Sequence, residues 1–217
     1  MDVPNFKLWQ IDIADSAADY VQNWSILSRH EQIQAQAFSH SERQQHYVAT
    51  HARLRIILAE ALNENLQQLE IRRTEYGKPY LVDFPDMAFN LSHSGNKLVI
   101  AIAKNHELGI DIETCKPRKN LSALVEKCFA ETEQHYWQQL PDALKVSSFY
   151  QFWTRKEAFV KATGRGIALG LNQCVLNPEN HNEFLAVPTA YGAASAWRIH
   201  DIAVGDTMCG AVVLKSL

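Results

Sequence analysis

The same order of hydrophobic patterns occurs twice in this chain of 217 residues. In each repeat a strand pattern comes first, helical patterns follow, and several short strand patterns come last. Apolar residues alternate over residues 6–13 and then recur at helical spacing up to Leu62; later, LGIDIE at 108–113 alternates and a long helical pattern covers residues 143–163. This order predicts an α+β fold built from two similar halves.

The halves are expected to meet near residues 104–108, where no linker rich in glycine, serine or proline separates them. We place the first half at residues 1–105 and the second at residues 106–217. A weak internal similarity, FSHSERQQHY at 38–47 and FAETEQHY at 129–136, is compatible with an ancient duplication. Helix starts resemble one another by chance, so this similarity leaves the duplication open.

Local signals predict where several helices begin and end. Ser28 and Glu31 match a capping box, in which each residue satisfies a backbone N–H of the first helical turn. Asn63 follows one helical pattern, and Gly164 follows the next at the position where a left-handed residue commonly ends a helix.

The charge and cysteine content narrow the classes of function. A formal net charge of −3 gives no broad attraction to nucleic acid or membrane, so any anion site must be built locally. The four cysteines form no CxxC pair, which favours free thiols in a reducing compartment. The first residues do not match a secretory signal, and no apolar run approaches the ~20 residues of a membrane span. We expect a cytoplasmic protein.

Two carboxylates stand two residues apart in the LGIDIE strand. Residues i and i+2 of a strand share a face, so Asp111 and Glu113 project together. Carboxylate oxygens are the natural ligands of Mg²⁺, and a divalent cation between these two is one interpretation. The alternative is a solvated polar face of the strand.

A second group of chemical residues lies on the long helix. Trp153, Glu157 and Lys161 are spaced by four and therefore form one row, with Phe149 and Phe159 among the apolar residues beside it. Glu157 and Lys161 are compatible either with a functional pair or with a surface ion pair worth only about 0.3–0.5 kcal/mol.

Two further motifs carry groups suited to phosphate. FNLSHSG at 89–95 places Ser92 and His93 at a strand end, where hydroxyl and imidazole groups can surround an anion. YGKP at 76–79 presents Lys78 on a turn. Each motif alone also has a structural explanation, because most histidines and surface lysines bind nothing.

The four motifs together, in the order YGKP, FNLSHSG, GIDIE and W-x-x-KEA-x-x-K-x-x-G-x-G, resemble the successive motifs of the Sfp-type 4′-phosphopantetheinyl transferases. The resemblance covers nearly the whole chain. It implies two similar halves related by a pseudo-two-fold axis, with coenzyme A (CoA) bound in the cleft between them. The implied reaction moves the phosphopantetheine arm of CoA onto a serine of an apo carrier protein and releases adenosine 3′,5′-bisphosphate.

The resemblance also implies roles for individual residues. Asp111, Glu113 and Glu157 would hold Mg²⁺, and Glu157 would act as the catalytic base beside Lys161, with a metal-bound water as the alternative base. The implied CoA contacts are Lys78, Pro79, Ser92, His93, Lys156, Lys161 and Arg55. The chain departs from its relatives ahead of Phe38, where Glu31, Gln34 and Gln36 stand at positions that are often basic.

The expected partners are CoA and an acyl, peptidyl or aryl carrier protein, without nucleic acid or membrane, and the expected state is a monomer. Two alternatives stay open. One is a relative that binds CoA or a carrier with little turnover, and the other is a different Mg²⁺-dependent phosphoryl-transfer enzyme. The sequence does not identify the carrier or the pathway.

Overall fold

A computed structural model describes residues 5–13, 17–180 and 182–217. Its strands are β1 Phe6–Asp12, β2 Ile71–Arg73, β3 Pro79–Leu81, β4 Met87–Ser94, β5 Lys97–Lys104, β6 His106–Thr114, β7 Val175–Leu176, β8 Phe184–Ala186, β9 Trp197–Asp201 and β10 Met208–Ser216. Its α-helices are α1 Ala17–Ile26, α2 Arg29–Gln36, α3 Ser41–Leu62, α4 Leu121–Cys128, α5 Glu131–Gln139 and α6 Asp142–Thr163.

The described residues form a mixed α+β fold, as predicted, and this fold contains two antiparallel three-stranded sheets. The first sheet has the order β1-β5-β4 and the second the order β6-β10-β9. In each sheet the strand that comes last in the sequence, β5 or β10, is the central one. Each half also contains a small hairpin, β2-β3 or β7-β8, and one long helix of 22 residues, α3 or α6. This shared order is the one expected for two halves related by a pseudo-two-fold axis.

The predicted helix ends are confirmed. Ser28 and Glu31 form the capping box of α2. Asn63 ends α3 with φ 55° and Gly164 ends α6 with φ 70°, both in the left-handed region that leaves the helix. The helix α1 was not predicted, although Tyr20 and Trp24 stand at helical spacing and their rings lie 5.8 Å apart. None of the helices in the described ranges is long and apolar enough to cross a membrane.

A buried ion pair recurs in both halves and identifies which helices are equivalent. Glu31 of α2 accepts a hydrogen bond from Arg55 Nε of α3 at 2.7 Å, and Glu133 of α5 lies 2.6 Å from Lys156 Nζ of α6. Each cation also binds backbone carbonyls just beyond its long helix. The pairs therefore match α2 with α5. The sequence similarity noted above instead aligns the start of α3 with the start of α5, so it does not reflect the structural repeat.

Three apolar layers and a smaller cluster between α2 and α3 form the core of the described residues. The first lies between α3 and its sheet, and the last lies between α6 and the second sheet. The middle layer joins the two sheets through residues such as Val99 of β5, Ile110 and Ile112 of β6, and Val212 of β10. Because side chains alternate along a strand, the odd-numbered residues of β6 face α6.

The edge between β4 and β6, which we call the seam, is joined by side chains rather than by a backbone ladder. Every second residue of β4 from Asn90 to Ser94 accepts, through its side chain, a hydrogen bond from a backbone N–H of β6 that lies 20 residues further along the chain. The pairs are Asn90 with Ile110 at 3.1 Å, Ser92 with Ile112 at 3.3 Å and Ser94 with Thr114 at 3.0 Å. The two halves thus meet along a row of polar side chains.

Helix α6 lies directly on β6 at Gly109. A Cβ atom at this position would stand 2.0 Å from the carbonyl oxygen of Ala158 and 2.4 Å from the backbone nitrogen of Ala162. Only glycine allows this approach. The close contact brings the Glu157–Lys161 turn of α6 against the strand that carries Asp111 and Glu113.

Candidate active site

Lys161 stands at the point where β4, β6 and α6 meet. Its Nζ donates to Asp111 Oδ1 at 2.8 Å, to Ser92 Oγ at 3.0 Å and to the carbonyl oxygen of Ile110 at 3.1 Å. Ser92 Oγ in turn donates to Asp111 Oδ1 at 2.8 Å. No backbone N–H of β4 donates to the Ile110 carbonyl, because β4 contacts β6 through side chains. This carbonyl can therefore accept a hydrogen bond from Lys161.

The three predicted acidic residues influence one another. Burial and the charge of Asp111 raise the pKa of Glu157 to about 7, against the opposing effect of Lys161. Burial and Asp111 also raise the pKa of Glu113. The site therefore gathers more negative charge than Lys161 alone compensates.

The donor set of this cluster suits a hard divalent cation. In the part of the chain that the structure describes, no three His, Cys, Asp or Glu side chains are close enough together to hold a metal as they stand. Asp111 Oδ2, however, is buried without any hydrogen-bond partner, and the neighbouring Glu113 and Glu157 lack a full counter-charge. An unpaired buried carboxylate oxygen among other carboxylates is the environment that a cation such as Mg²⁺ relieves. These residues fit the ion.

A cavity of about 710 Å³ opens beside this cluster. Its wall contains four of the predicted CoA-binding residues, namely Lys78, Pro79, His93 and Lys161. The three carboxylates lie next to the cavity rather than on its wall, and Lys161 connects the two because it both lines the cavity and binds Asp111. The volume is in the range of sites for cofactor-sized ligands.

The cavity is also lined by basic residues that lie outside the four motifs. Arg43 and His46 come from the start of α3, and Arg73 from the end of β2. The ring of His46 lies 4.8 Å from that of His93, and burial together with the charges of His46 and Lys161 lowers the pKa of His93. The sequence signal for Arg43 and His46 was their spacing of three on one helix, which places them on the same face.

The YGKP turn ties the cavity to the end of α6. Lys78 Nζ donates to the carbonyl oxygen of Ala162 at 2.5 Å, and burial lowers the pKa of Lys78. Arg165 donates to Tyr76 Oη at 2.9 Å and lies over the Tyr76 ring at 4.8 Å from its centroid. Lys78 thus bridges the two halves, and its ammonium group is already partnered.

The structure does not bring Arg55 and Lys156 to the cavity. Arg55 is 3% exposed and uses its donors on Glu31 and on the carbonyls of Leu66 and Leu69. Lys156 is fully buried and binds Glu133 and two carbonyls. Both cations anchor the fold of their own half. Ser92 lies behind the cavity wall and reaches it only through Lys161.

The side chains of Glu31 and Gln34, ahead of Phe38, have hydrogen-bond partners within the protein. Burial would raise the pKa of Glu31, but hydrogen bonds with His51 and Arg55 outweigh it and lower that pKa to about 2. Gln34 Oε1 accepts from Tyr47 Oη at 2.7 Å. Arg43 and Arg73, with the imidazole of His46 beside them, are therefore the basic residues that this end of the cavity offers to an anion.

Comparison with known proteins gives matches over both halves. Residues 107–213 match the 4′-phosphopantetheinyl transferase superfamily, and residues 13–105 match the 4′-phosphopantetheinyl transferase N-terminal family. A Synechocystis sp. protein, named provisionally as a 4′-phosphopantetheinyl transferase, is 34% identical over 177 residues, covering 81% of this chain and 71% of that protein.

Two further relatives carry the same activity in their names. The 4′-phosphopantetheinyl transferase HetI of Nostoc sp. is 31% identical over 211 residues, covering 95% of this chain and 86% of its own. The 4′-phosphopantetheinyl transferase Sfp of Bacillus subtilis is 29% identical over 148 residues, covering 68% of this chain and 65% of its own.

Proposed function

Because the chain belongs to the 4′-phosphopantetheinyl transferase superfamily and is an enzyme of that activity, we propose that it transfers the 4′-phosphopantetheine arm of CoA to a serine of an apo carrier protein. The second product is adenosine 3′,5′-bisphosphate. The observation that carries this proposal is the contact, through Lys161, between a cofactor-sized cavity lined by cations and a cluster of three carboxylates.

The cavity suits a polyanionic nucleotide. Lys161 and His93 are the proposed contacts of the pyrophosphate, because they lie closest to the carboxylate cluster. Arg43 and Arg73 supply the remaining positive charge for the phosphates of the nucleotide end, and the His46 ring offers a further hydrogen-bonding group. Lys78 and Pro79 shape the wall at that end rather than binding a phosphate, because Lys78 Nζ is committed to Ala162.

Asp111, Glu113 and Glu157 would hold Mg²⁺. When bound there, the ion would neutralise charge on the pyrophosphate and on the leaving phosphate. The protein's part is to keep these carboxylates together with Lys161 in a partly dry site, where charge–charge interactions are stronger than in water.

The proposed reaction is an in-line substitution at phosphorus. The carrier serine oxygen forms a bond to the phosphorus next to the pantetheine arm, and the bond from that phosphorus to the bridging oxygen breaks, so the electron pair leaves with adenosine 3′,5′-bisphosphate. Glu157 takes the serine proton, directly or through one water, because it stands one helical turn from Lys161. The Lys161 ammonium group stabilises the charge on the phosphate oxygens.

The proposed setting is the cytoplasm, with the enzyme acting as a monomer and without nucleic acid or membrane. All four cysteines are free thiols, as is usual for proteins of a reducing compartment. Elements from both halves of one chain line the cavity, from Arg43 in α3 to Lys161 in α6, so it needs no second copy.

The test is a mass assay with the purified chain, CoA, Mg²⁺ and a panel of apo carrier proteins. We expect at least one carrier to gain the mass of the phosphopantetheine arm at its serine. We expect Asp111→Asn to lose that gain, whereas the control Asp12→Asn, at an exposed ion pair with Lys97, should keep it.

The same assay separates the two alternatives. CoA binding without a mass gain on any carrier would indicate a binding relative with little turnover. Cleavage of CoA in the absence of carrier would indicate a different phosphoryl-transfer enzyme. Either result would contradict the proposal.

A further inference from the structure

Two cysteine side chains meet on the face of the second sheet that carries the acidic cluster. Cys115 directly follows β6 and Cys209 lies on β10, and their sulfur atoms are 3.1 Å apart. The backbone pairing continues past the end of β6, since the N–H of Cys115 donates to the carbonyl oxygen of Thr207 at 2.8 Å. The two thiols are therefore held in contact by the sheet itself.

The position of this pair relative to the site is fixed by the strand register. Cys209 lies directly opposite Glu113, and Cys115 is two residues further along β6 on the same face. Glu113 thus has the Cys209 thiol opposite it on β10 and the Cys115 thiol two residues further along its own strand.

The other two cysteines differ in ways that matter for modification. Cys174 is fully buried, and its Sγ donates to the carbonyl oxygen of Leu171. Cys128 belongs to α4, and no hydrogen bond joins it to another thiol among the described residues. Cys115 and Cys209 are both partly exposed, so a small oxidant can reach them. Only this pair combines contact between sulfur atoms with access.

We propose that Cys115 and Cys209 form a redox modification site that hydrogen peroxide converts to an intramolecular disulfide. Two S–H bonds break and one S–S bond forms; the thiols lose two electrons and two protons, and one peroxide molecule is reduced to two water molecules. A disulfide has an S–S distance of about 2.03–2.05 Å, so the sulfur atoms must approach by about 1 Å. A thiol reductant restores the pair.

The bond has a consequence for catalysis, and this part rests on the proposed function. An approach of about 1 Å pulls Cys115, two residues after Glu113 on β6, toward Cys209, which lies opposite Glu113 on β10. Glu113 is a proposed ligand of Mg²⁺. Because misplacement on this scale can cost up to about 100-fold in rate, we expect the oxidised enzyme to transfer the arm about tenfold more slowly.

The first measurement does not depend on activity. The full chain is treated with hydrogen peroxide, and its intact mass and its peptides are determined without reduction. We expect the loss of two hydrogen atoms and a cross-linked peptide pair containing Cys115 and Cys209, both reversed by dithiothreitol. Cys128→Ser should behave as the wild type, and Cys115→Ser should form no cross-link. No cross-link, or one that involves Cys128 or Cys174, would overturn the site.

The second measurement compares transfer rates before oxidation, after oxidation and after reduction. A reversible fall in the wild type and in Cys128→Ser, with no fall in Cys115→Ser, supports the proposed consequence. A cross-linked protein with an unchanged rate overturns the consequence. A chain that forms the cross-link but never modifies a carrier leaves the site standing and contradicts the proposed function instead.

Discussion

Replacing Lys156 distinguishes a structural anchor from a phosphate ligand within the same KEA motif. Its ammonium group is fully buried, 2.6 Å from Glu133 Oε2 and within hydrogen-bond distance of the carbonyl oxygens of Leu171 and Cys174 at 3.0 and 2.6 Å. Glu133 is equally buried and also accepts from the backbone N–H of Ala130 and Leu176. Lys156 therefore joins α6, α5 and the segment that follows α6.

The magnitude follows from what the substitution leaves behind. Lys156→Met keeps most of the volume but leaves the Glu133 carboxylate without its cation and removes the donor from two carbonyls. Breaking a buried pair on one side costs about 3–5 kcal/mol. We expect a loss of about 4 kcal/mol in the free energy of unfolding, a large part of the ~5–15 kcal/mol of a typical domain.

The assay is urea unfolding followed by fluorescence, combined with the KM for CoA measured on the folded fraction. The KM should change less than twofold. The control Lys145→Met removes a cation of the same helix that pairs with exposed Asp142, so its stability should change by less than about 1 kcal/mol. The double variant Lys156→Met with Glu133→Gln should recover part of the loss, because it removes the uncompensated charge. A stable Lys156→Met protein with a KM raised tenfold would refute this reasoning.

Three further outcomes are expected. Ser92→Ala removes the hydrogen bonds that Ser92 makes with Asp111, Lys161 and the backbone N–H of Ile112, so kcat should fall about tenfold and the free energy of unfolding should fall by about 1–3 kcal/mol, checked by steady-state kinetics and thermal melts. Gly109→Ala places a Cβ 2.0 Å from the Ala158 carbonyl oxygen, so little folded protein should be recovered in the soluble fraction, and a melting temperature equal to the wild type would contradict this. Folding lowers the pKa of Glu31 from 4.5 to about 2, so ionised Glu31 contributes about 3 kcal/mol to the free energy of unfolding above pH 4.5, and this contribution is lost as pH falls toward 2. Glu31→Gln should flatten the curve of stability against pH over that interval. An unchanged slope would contradict the ion pair.

Much of the site could be predicted because its residues obey short-range rules. Asp111 and Glu113 share a strand face whatever the rest of the fold does, and Glu157 and Lys161 share a helix face. The order of the four motifs then indicated that these faces meet. The structure brings Asp111, Lys161 and Ser92 into direct contact and places His93 on the neighbouring cavity wall.

The roles of Arg55 and Lys156 could not be predicted, because their partners are distant in sequence. A basic residue in a helical motif looks the same whether its charge meets a phosphate or a buried carboxylate. Glu31 lies 24 residues before Arg55, and only the packing of α2 on α3 reveals the pair. Arg73 was missed for a related reason, since a short strand gives no sign of what its last residue faces.

The seam between β4 and β6 is joined by hydrogen bonds to side chains of β4 and not by a backbone ladder. A water molecule can replace a serine hydroxyl or an asparagine amide while both strands keep their backbone pairing, so we expect the amide hydrogens of Ile110, Ile112 and Thr114 to exchange faster than those on the β10 side. Ser92 and Lys161 both bind backbone groups of β6 along this seam. A ligand that contacts both halves would restrict motion across the seam. Binding in the cavity should therefore slow deuterium uptake by the backbone amides of β6.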